Sequence, residues 1–203
     1  LEPNENDTVL DLAAAPGAKT TQIAAMMQNK GAIIANDITY DRLKALRGNL
    51  QRCGVVNTLV TNMDGKFFYQ SEIKADKILL DAPCTGTGAL SPRILKTTSE
   101  HSIRKLSNIQ KQILSSAASC LDRDGVLVYS TCSLEPEENE ENIDYAVKKL
   151  GLVVEEIKMK GIRTINGITE WEGKQFDESI SNSIRIVPDG VFEGFFVCKL
   201  RKY

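Results

Sequence analysis

Short apolar runs alternate with helical patterns along most of the chain, and that alternation limits the fold more than any other feature. Residues 8–12, 32–37, 55–60, 77–81, 126–130, 152–157 and 194–200 read as seven strands rich in Val, Ile and Leu. Helical patterns cover residues 19–28, 40–53, 103–121 and 136–150; the second places Leu43, Leu46 and Leu50 on one face and stops at Gly54. Strands separated by helices of this length mean βαβ units and a mainly parallel sheet with helices on both faces. The expected architecture is a doubly wound α/β domain over residues 1–203, with ligands gathered beyond the carboxyl ends of the strands. Residues 161–190, with scattered Gly, Asn, Ser and Thr, read as loop.

Composition narrows the function. Of 203 residues, 25 are Lys or Arg and 27 are Asp or Glu, a net charge of -2, so no whole-surface basic field draws nucleic acid. A polyanion must be held by a local patch or by a part of the protein outside this sequence. The chain opens on Leu1 rather than Met, which suggests a piece of a longer protein whose N-terminal part carries substrate binding. No apolar run approaches the ~18 residues of a membrane span, and the expectation is a monomeric cytoplasmic protein. Cys53, Cys84, Cys120, Cys132 and Cys198 are widely spaced without a CxxC pair, so neither a disulfide framework nor a metal site is expected. The one histidine, His101, sits in a polar stretch and reads as a surface residue. Chemistry therefore falls to carboxylates, thiols, lysines or a cofactor.

The strand ends carry the informative residues. The first strand runs into Asp11-Leu12-Ala13-Ala14-Ala15-Pro16-Gly17-Ala18-Lys19-Thr20. A dinucleotide fingerprint needs three glycines and only Gly17 is present; a P-loop needs glycines at positions 13 and 18, and both are alanine. Asp37 ends the second strand, placed either to take both ribose hydroxyls of an adenosine or to cap the next helix. Asp64 follows the third, placed to meet an adenine amino group or to make a simple turn. A small-residue turn and two acids fit adenosine without phosphate, the pattern expected for S-adenosylmethionine. Asp81-Ala82-Pro83-Cys84-Thr85-Gly86-Thr87-Gly88 follows the fourth strand and Thr131-Cys132-Ser133 the fifth, so two thiols and a carboxylate leave neighbouring strand ends.

These segments, DLAAAPGAKT, DAPCTGTG and TCSLEPEEN, resemble the motifs of the Sun-type RNA cytosine-5 methyltransferases. The likeness covers about residues 1–150 and resumes at Arg185-Ile186-Val187-Pro188 and Glu193-Gly194-Phe195-Phe196. Ala13 and Ala18 depart from the family's Cys and Gly, and Asp189 stands where many members have His. The resemblance implies a Rossmann-like S-adenosylmethionine-dependent methyltransferase. It implies a cofactor cradle of Ala13, Ala14, Ala15, Pro16, Gly17, Ala18 and Lys19, with Asp37 on the ribose, Arg42 nearby and Asp64 at the adenine end. Asp81 would lie between cofactor and target base, Cys132 would be the nucleophile, and Cys84 would assist product release. The implied partner is RNA, tRNA ahead of rRNA, in a compact archaeal-type member.

The chemistry needs such groups. Carbon 5 of cytosine is a poor nucleophile; a thiolate adding at carbon 6 loads electron density onto it. A carboxyl at Asp81, protonated or sharing a proton, would relieve charge at ring nitrogen 3. Lys19 is placed either as a positive neighbour of Cys132 or as a structural part of its turn, and the helix opening at Pro136 could turn its positive end toward Cys132, with its acidic opening run working against that. Glu135, Glu137, Glu138, Glu140 and Glu141 read as a solvated helix start, and Arg93, Lys96, Arg104, Lys105 and Lys111 either as one basic side of an RNA cleft or as a solvated face. Two other readings stay open: a DNA-type enzyme with Cys84 as nucleophile, which leaves Cys132 without a role, and a non-catalytic RNA-assembly module.

Overall fold

The computed structural model describes all 203 residues. In chain order the elements begin β1 (Thr8–Asp11), α1 (Ala18–Met26), β2 (Ala32–Asn36), α2 (Tyr40–Arg52), β3 (Thr58–Thr61) and β4 (Ala75–Asp81). They continue α3 (Pro92–Thr97), α4 (Glu100–Cys120), β5 (Leu121–Thr131), α5 (Glu140–Leu150) and β6 (Val153–Glu155). The last are β7 (Thr164–Asn166), β8 (Glu170–Trp171), β9 (Lys174–Gln175), β10 (Ile184–Ile186) and β11 (Phe195–Arg201). The chain divides into two compact units, residues 1–81, 116–127 and 202–203 in the first and residues 82–115 and 128–201 in the second. No helix is long and apolar enough to cross a membrane.

In the first unit the strands lie in the order β3-β2-β1-β4, followed by β5. Pairing among β3, β2, β1 and β4 is parallel, setting Thr58 opposite Ile33, Thr8 opposite Ala32 and Val9 opposite Lys77. Parallel neighbours require crossovers, which α1 and α2 provide. Leu43, Leu46 and Leu50 of α2 share one face and pack on Ala14, Ala15 and Ala35, a burial that contributes roughly 2 kcal/mol per leucine. Because β1 lies between β2 and β4, the strand order reverses beside it, and the carboxyl ends of β1 and β4 flank that switch point.

In the second unit the order runs from β5 to β11, β10 and β7, with β6 also on β11. β11 is antiparallel to β10 and to β6. The buried Tyr129 of β5 meets Phe196 of β11 edge-on, ring centres 6.4 Å apart.

The α/β class and the parallel strands match the sequence reading, but three expectations need correction. The sheet has nine strands rather than seven, because β7 and β10 come from the stretch read as loop, and β8 and β9 make a separate hairpin there. Strands of two or three residues are too short to show an alternating pattern. The helix expected from Pro136 starts at Glu140 instead. Its supposed first turn is drawn inward: the Tyr129 hydroxyl donates to the Glu138 carbonyl at 2.6 Å, and Thr131 Oγ1 donates to Asn139 Oδ1 at 2.5 Å.

Candidate active site

The first unit builds a cradle at the end of β1. Leu12 N donates to the Leu79 carbonyl at 3.0 Å and Ala14 N to the Asn36 carbonyl at 2.7 Å, so the turn is fastened to both neighbouring strands. Ala13, Ala14, Ala15, Pro16, Ala18 and Lys19 line a cavity of ≈ 40 Å³ together with Asp11 and Asp81. Gly17 serves the turn itself. Its φ of 102° is left-handed, and a Cβ there would lie 2.6 Å from Leu46 Cδ1, so only glycine lets α1 begin against α2.

Lys19 Nζ binds the Asp81 carboxylate at 2.6 Å. The sequence reading gave Lys19 to a thiol or to its turn and left Asp81 as a carboxyl for a ring nitrogen; the structure makes the two an ion pair. Asp37 is almost fully buried and holds the turn: its carboxylate accepts from Ala15 N at 3.2 Å and Thr39 N at 2.9 Å. Arg42 pairs with Asp37 at 3.3 Å and also donates to the Ala15 carbonyl. Asp64 accepts from Lys66 N at 3.0 Å, capping the 3-10 turn Gly65–Ser71, and pairs with the Lys66 ammonium at 3.1 Å. Asp37, Arg42 and Asp64 stand outside the lining of the ≈ 40 Å³ cavity.

Asp11 was not singled out in the sequence. It is fully buried at the cavity wall, accepts from Thr20 Oγ1 at 2.6 Å, and burial pushes its carboxyl up to about 7. The available signal was an acid closing an otherwise apolar strand.

The donor set suits S-adenosylmethionine. Neutral alanines and their backbone offer a close surface, and of the acids at the cavity wall Asp81 favours hydroxyls, amino groups and a sulfonium cation. The glycine wrap that holds phosphates is absent.

The second unit holds the thiols. Cys84 Sγ and Cys132 Sγ lie 3.2 Å apart, hydrogen-bonded and each partly exposed. The bond to Cys132 and then burial push the Cys84 thiol far above its usual range, and either sulfur can be the donor in the bond between them. Ala82 N donates to the Ser130 carbonyl at 2.9 Å and Gly88 N to the Cys132 carbonyl at 2.9 Å, which pins the Cys84 segment to the Cys132 segment at both ends. Gly194 N donates to the Gly88 carbonyl at 2.8 Å. A Cβ on Gly88 would lie 2.0 Å from the Gly194 oxygen, so this three-segment junction requires glycine.

The acids read as a solvated helix start do something else. Glu138 and Glu140 are fully buried. Glu138 accepts from Thr85 Oγ1 at 2.6 Å, Thr85 N at 3.1 Å and Gln110 Nε2 at 2.9 Å. Gln110 Nε2 also donates to the Pro83 carbonyl at 2.8 Å, so Glu138 and Gln110 grip the residues on either side of Cys84. Glu140 takes a two-pronged ion pair from Arg185, whose Nη1 also donates to the Leu134 carbonyl at 2.9 Å. Burying a carboxylate is costly without such partners.

Of the expected basic patch, Arg104 pairs with Glu100 at 3.0 Å and Lys111 with Glu141 at 2.9 Å, while Arg93, Lys96 and Lys105 are exposed. His101 is exposed, as expected. Cys120 and Cys198 are buried, and burial raises both thiols, which suits packing rather than reactivity.

Known proteins resemble this chain over nearly its whole length. The family model described as 16S rRNA methyltransferase RsmB/F matches residues 1–201. A protein of Pyrococcus abyssi named tRNA (cytosine(49)-C(5))-methyltransferase is 40% identical over 205 residues, covering 100% of this chain and 66% of that protein. The crystal structure of a methyltransferase homolog protein from Pyrococcus horikoshii superposes with a TM-score of 0.88 at 38% identity, covering 100% of this chain and 64% of that one. The structure of NSun6 from Pyrococcus horikoshii with SFG gives a TM-score of 0.83 at 39% identity, covering 99% of this chain and 49% of that one. The chain thus spans from half to just under two thirds of the length of these relatives. A match over nearly every residue, at such identity and with the same fold, leaves one assignment: the chain belongs to the 16S rRNA methyltransferase RsmB/F family.

Proposed function

We propose that both units form one catalytic domain, that of an RNA cytosine-5 methyltransferase using S-adenosylmethionine, with tRNA as substrate. The observation that carries the reading is the thiol pair of Cys84 and Cys132, 3.2 Å apart. Neither a cofactor-binding scaffold nor a one-thiol enzyme needs it. Support for tRNA comes from the name of the Pyrococcus abyssi relative; the family's own description supports rRNA as the second reading. Support for the methyl donor comes from the donor set of the cradle.

S-adenosylmethionine, when bound, supplies an electrophilic methyl group on a sulfonium. The chain's residues make carbon 5 able to accept it. Cys132 as thiolate adds to carbon 6 of the cytosine, and the electron pair of the broken double bond moves toward carbon 5. The Cys84 S–H donates to the Cys132 sulfur and stabilises its negative charge before attack. Negative charge reaching ring nitrogen 3 would be relieved by the Lys19 ammonium paired with Asp81. Asp37 and Arg42 hold Ala15 in place, so the small-residue turn keeps its shape beside the donor. After carbon 5 is methylated, a base removes its proton, the ring double bond re-forms and Cys132 leaves. Cys84, already hydrogen-bonded to that sulfur, serves this elimination.

The test is transfer of labelled methyl from S-adenosylmethionine to tRNA, with the product digested to nucleosides. The reading expects 5-methylcytidine from the wild type and none from Cys132→Ser. Label in DNA alone, or none in any RNA, would contradict it.

A further inference from the structure

We infer that the hollow between the Gly88–Leu90 turn and residues 188–193 is a subsite for the base of the nucleotide next to the target cytosine. The inference rests on the proposed function and adds a recognition site to it. The hollow measures ≈ 320 Å³, and its walls include Leu90, Pro188, Val191, Phe192 and Glu193 over a floor at Gly88. Leu90 and Phe192 are about half exposed and Val191 is 84% exposed, an unusual grouping of large apolar side chains at a surface.

This exposure is built into the loop. Asp189 Oδ1 accepts from Val191 N at 3.0 Å and Phe192 N at 2.9 Å, and Asp189 N donates to the Phe192 carbonyl at 3.3 Å. Those two amides hold the Asp189 carboxyl below its usual range. The side chain thus closes its own turn and leaves the apolar groups of Val191 and Phe192 facing out. That gives Asp189, where the sequence resemblance led one to expect His, a definite role.

The floor ties the hollow to the chemistry. Gly88 donates its N–H to the Cys132 carbonyl and accepts from Gly194 N, so the hollow and the Cys132 segment share one hydrogen-bonded backbone junction. A polynucleotide presenting one base to Cys132 therefore has its neighbouring nucleotide close at hand. The wall chemistry favours a base over a phosphate. Phe192, Leu90 and Pro188 offer apolar contact to a ring face, while Glu193 repels an anion. The Glu193 carboxylate at the wall can accept from the exocyclic amino groups of adenine, guanine or cytosine, which uracil lacks.

The test uses fluorescein-labelled short single-stranded RNAs with one cytidine, each flanking nucleotide being in turn adenosine, uridine or an abasic ribose. Affinity is read by anisotropy, and folding of each variant by circular dichroism. The wild type should lose about tenfold in affinity when one particular flanking base is removed. Phe192→Ala should abolish that difference, Phe192→Tyr should retain it, and Glu193→Gln should narrow the gap between adenosine and uridine. A wild type indifferent to both flanking bases, or binding none of the RNAs, would overturn the subsite and leave the apolar rim to a protein partner. Phe192→Ala keeping the full difference would overturn it equally. Methyl transfer measured on the same RNAs separates the two claims. Cys132-dependent transfer with base-indifferent binding sinks the subsite alone; base-dependent binding without transfer sinks the proposed reaction alone.

Discussion

Glu138 holds Thr85 twice, accepting from its hydroxyl at 2.6 Å and from its backbone N–H at 3.1 Å. A buried carboxylate thereby fixes the residue that follows Cys84, and Gln110 fixes the one before it. The consequence is measurable. Glu138→Ala takes away the acceptor of the half-buried Thr85 N–H and one of the two acceptors of the buried Gln110 Nε2, and should cost about 3 kcal/mol in urea unfolding. Methyl transfer should fall at least tenfold at temperatures where the variant is folded. Glu138→Gln keeps an acceptor and should lose less of both.

Gly88→Ala tests the backbone junction. The added methyl would sit 2.0 Å from the Gly194 oxygen, with backbone on both sides and no flexible side chain to yield. Strain from such overpacking is typically ~1–3 kcal/mol or more, so thermal unfolding should shift down by several degrees. Activity should drop beyond the loss of folded protein, since the same junction carries the Cys132 carbonyl.

Asp11 should make stability depend on pH in a direction opposite to that of most carboxylates. Its carboxyl titrates at about 7 in the folded chain against 3.8 when unperturbed, chiefly through burial. Between those values the native state holds a proton that the unfolded state has released. Stability contributed by this group is therefore full below pH ~4, falls as pH rises to ~7, and is flat above, with a slope of at most ~1.4 kcal/mol per pH unit. Asp11→Asn should remove that slope from urea midpoints measured across the window. An identical slope in both proteins would contradict the assignment.

Arg185 tests the second buried acid. Its two-pronged pair with the buried Glu140 means that Arg185→Met strands a carboxylate in the interior, at a cost of ~3–5 kcal/mol. Arg185→Met combined with Glu140→Leu should recover much of it. Calorimetric unfolding of the single and double variants checks both.

The first unit was largely legible in the sequence, because its strands are apolar runs of ordinary length and α2 repeats leucine at helical spacing. The positions of Asp81, Cys84 and Cys132 were legible for the same reason, since they close or follow recognisable strands. What escaped depends on tertiary contacts that leave no local pattern. Glu138 and Glu140 sit in an acidic run that reads as a solvated helix start; only Thr85, Gln110 and Arg185, distant in sequence, show them to be buried. β7 and β10 are three-residue strands without alternation, held by pairing to each other and, for β10, to β11. The Lys19–Asp81 ion pair spans 62 residues of chain, and nothing in either neighbourhood marks it.

The central claim is that Cys132, not Cys84, bonds to the base. It is tested most directly by trapping on tRNA containing 5-fluorocytidine with S-adenosylmethionine present, followed by denaturing electrophoresis. Fluorine at carbon 5 cannot leave as a proton, so the methylated adduct stays on the attacking thiol. The account predicts an adduct with wild type and with Cys84→Ser, and none with Cys132→Ser. An adduct that persists in Cys132→Ser and disappears in Cys84→Ser would contradict it and give the nucleophile to Cys84.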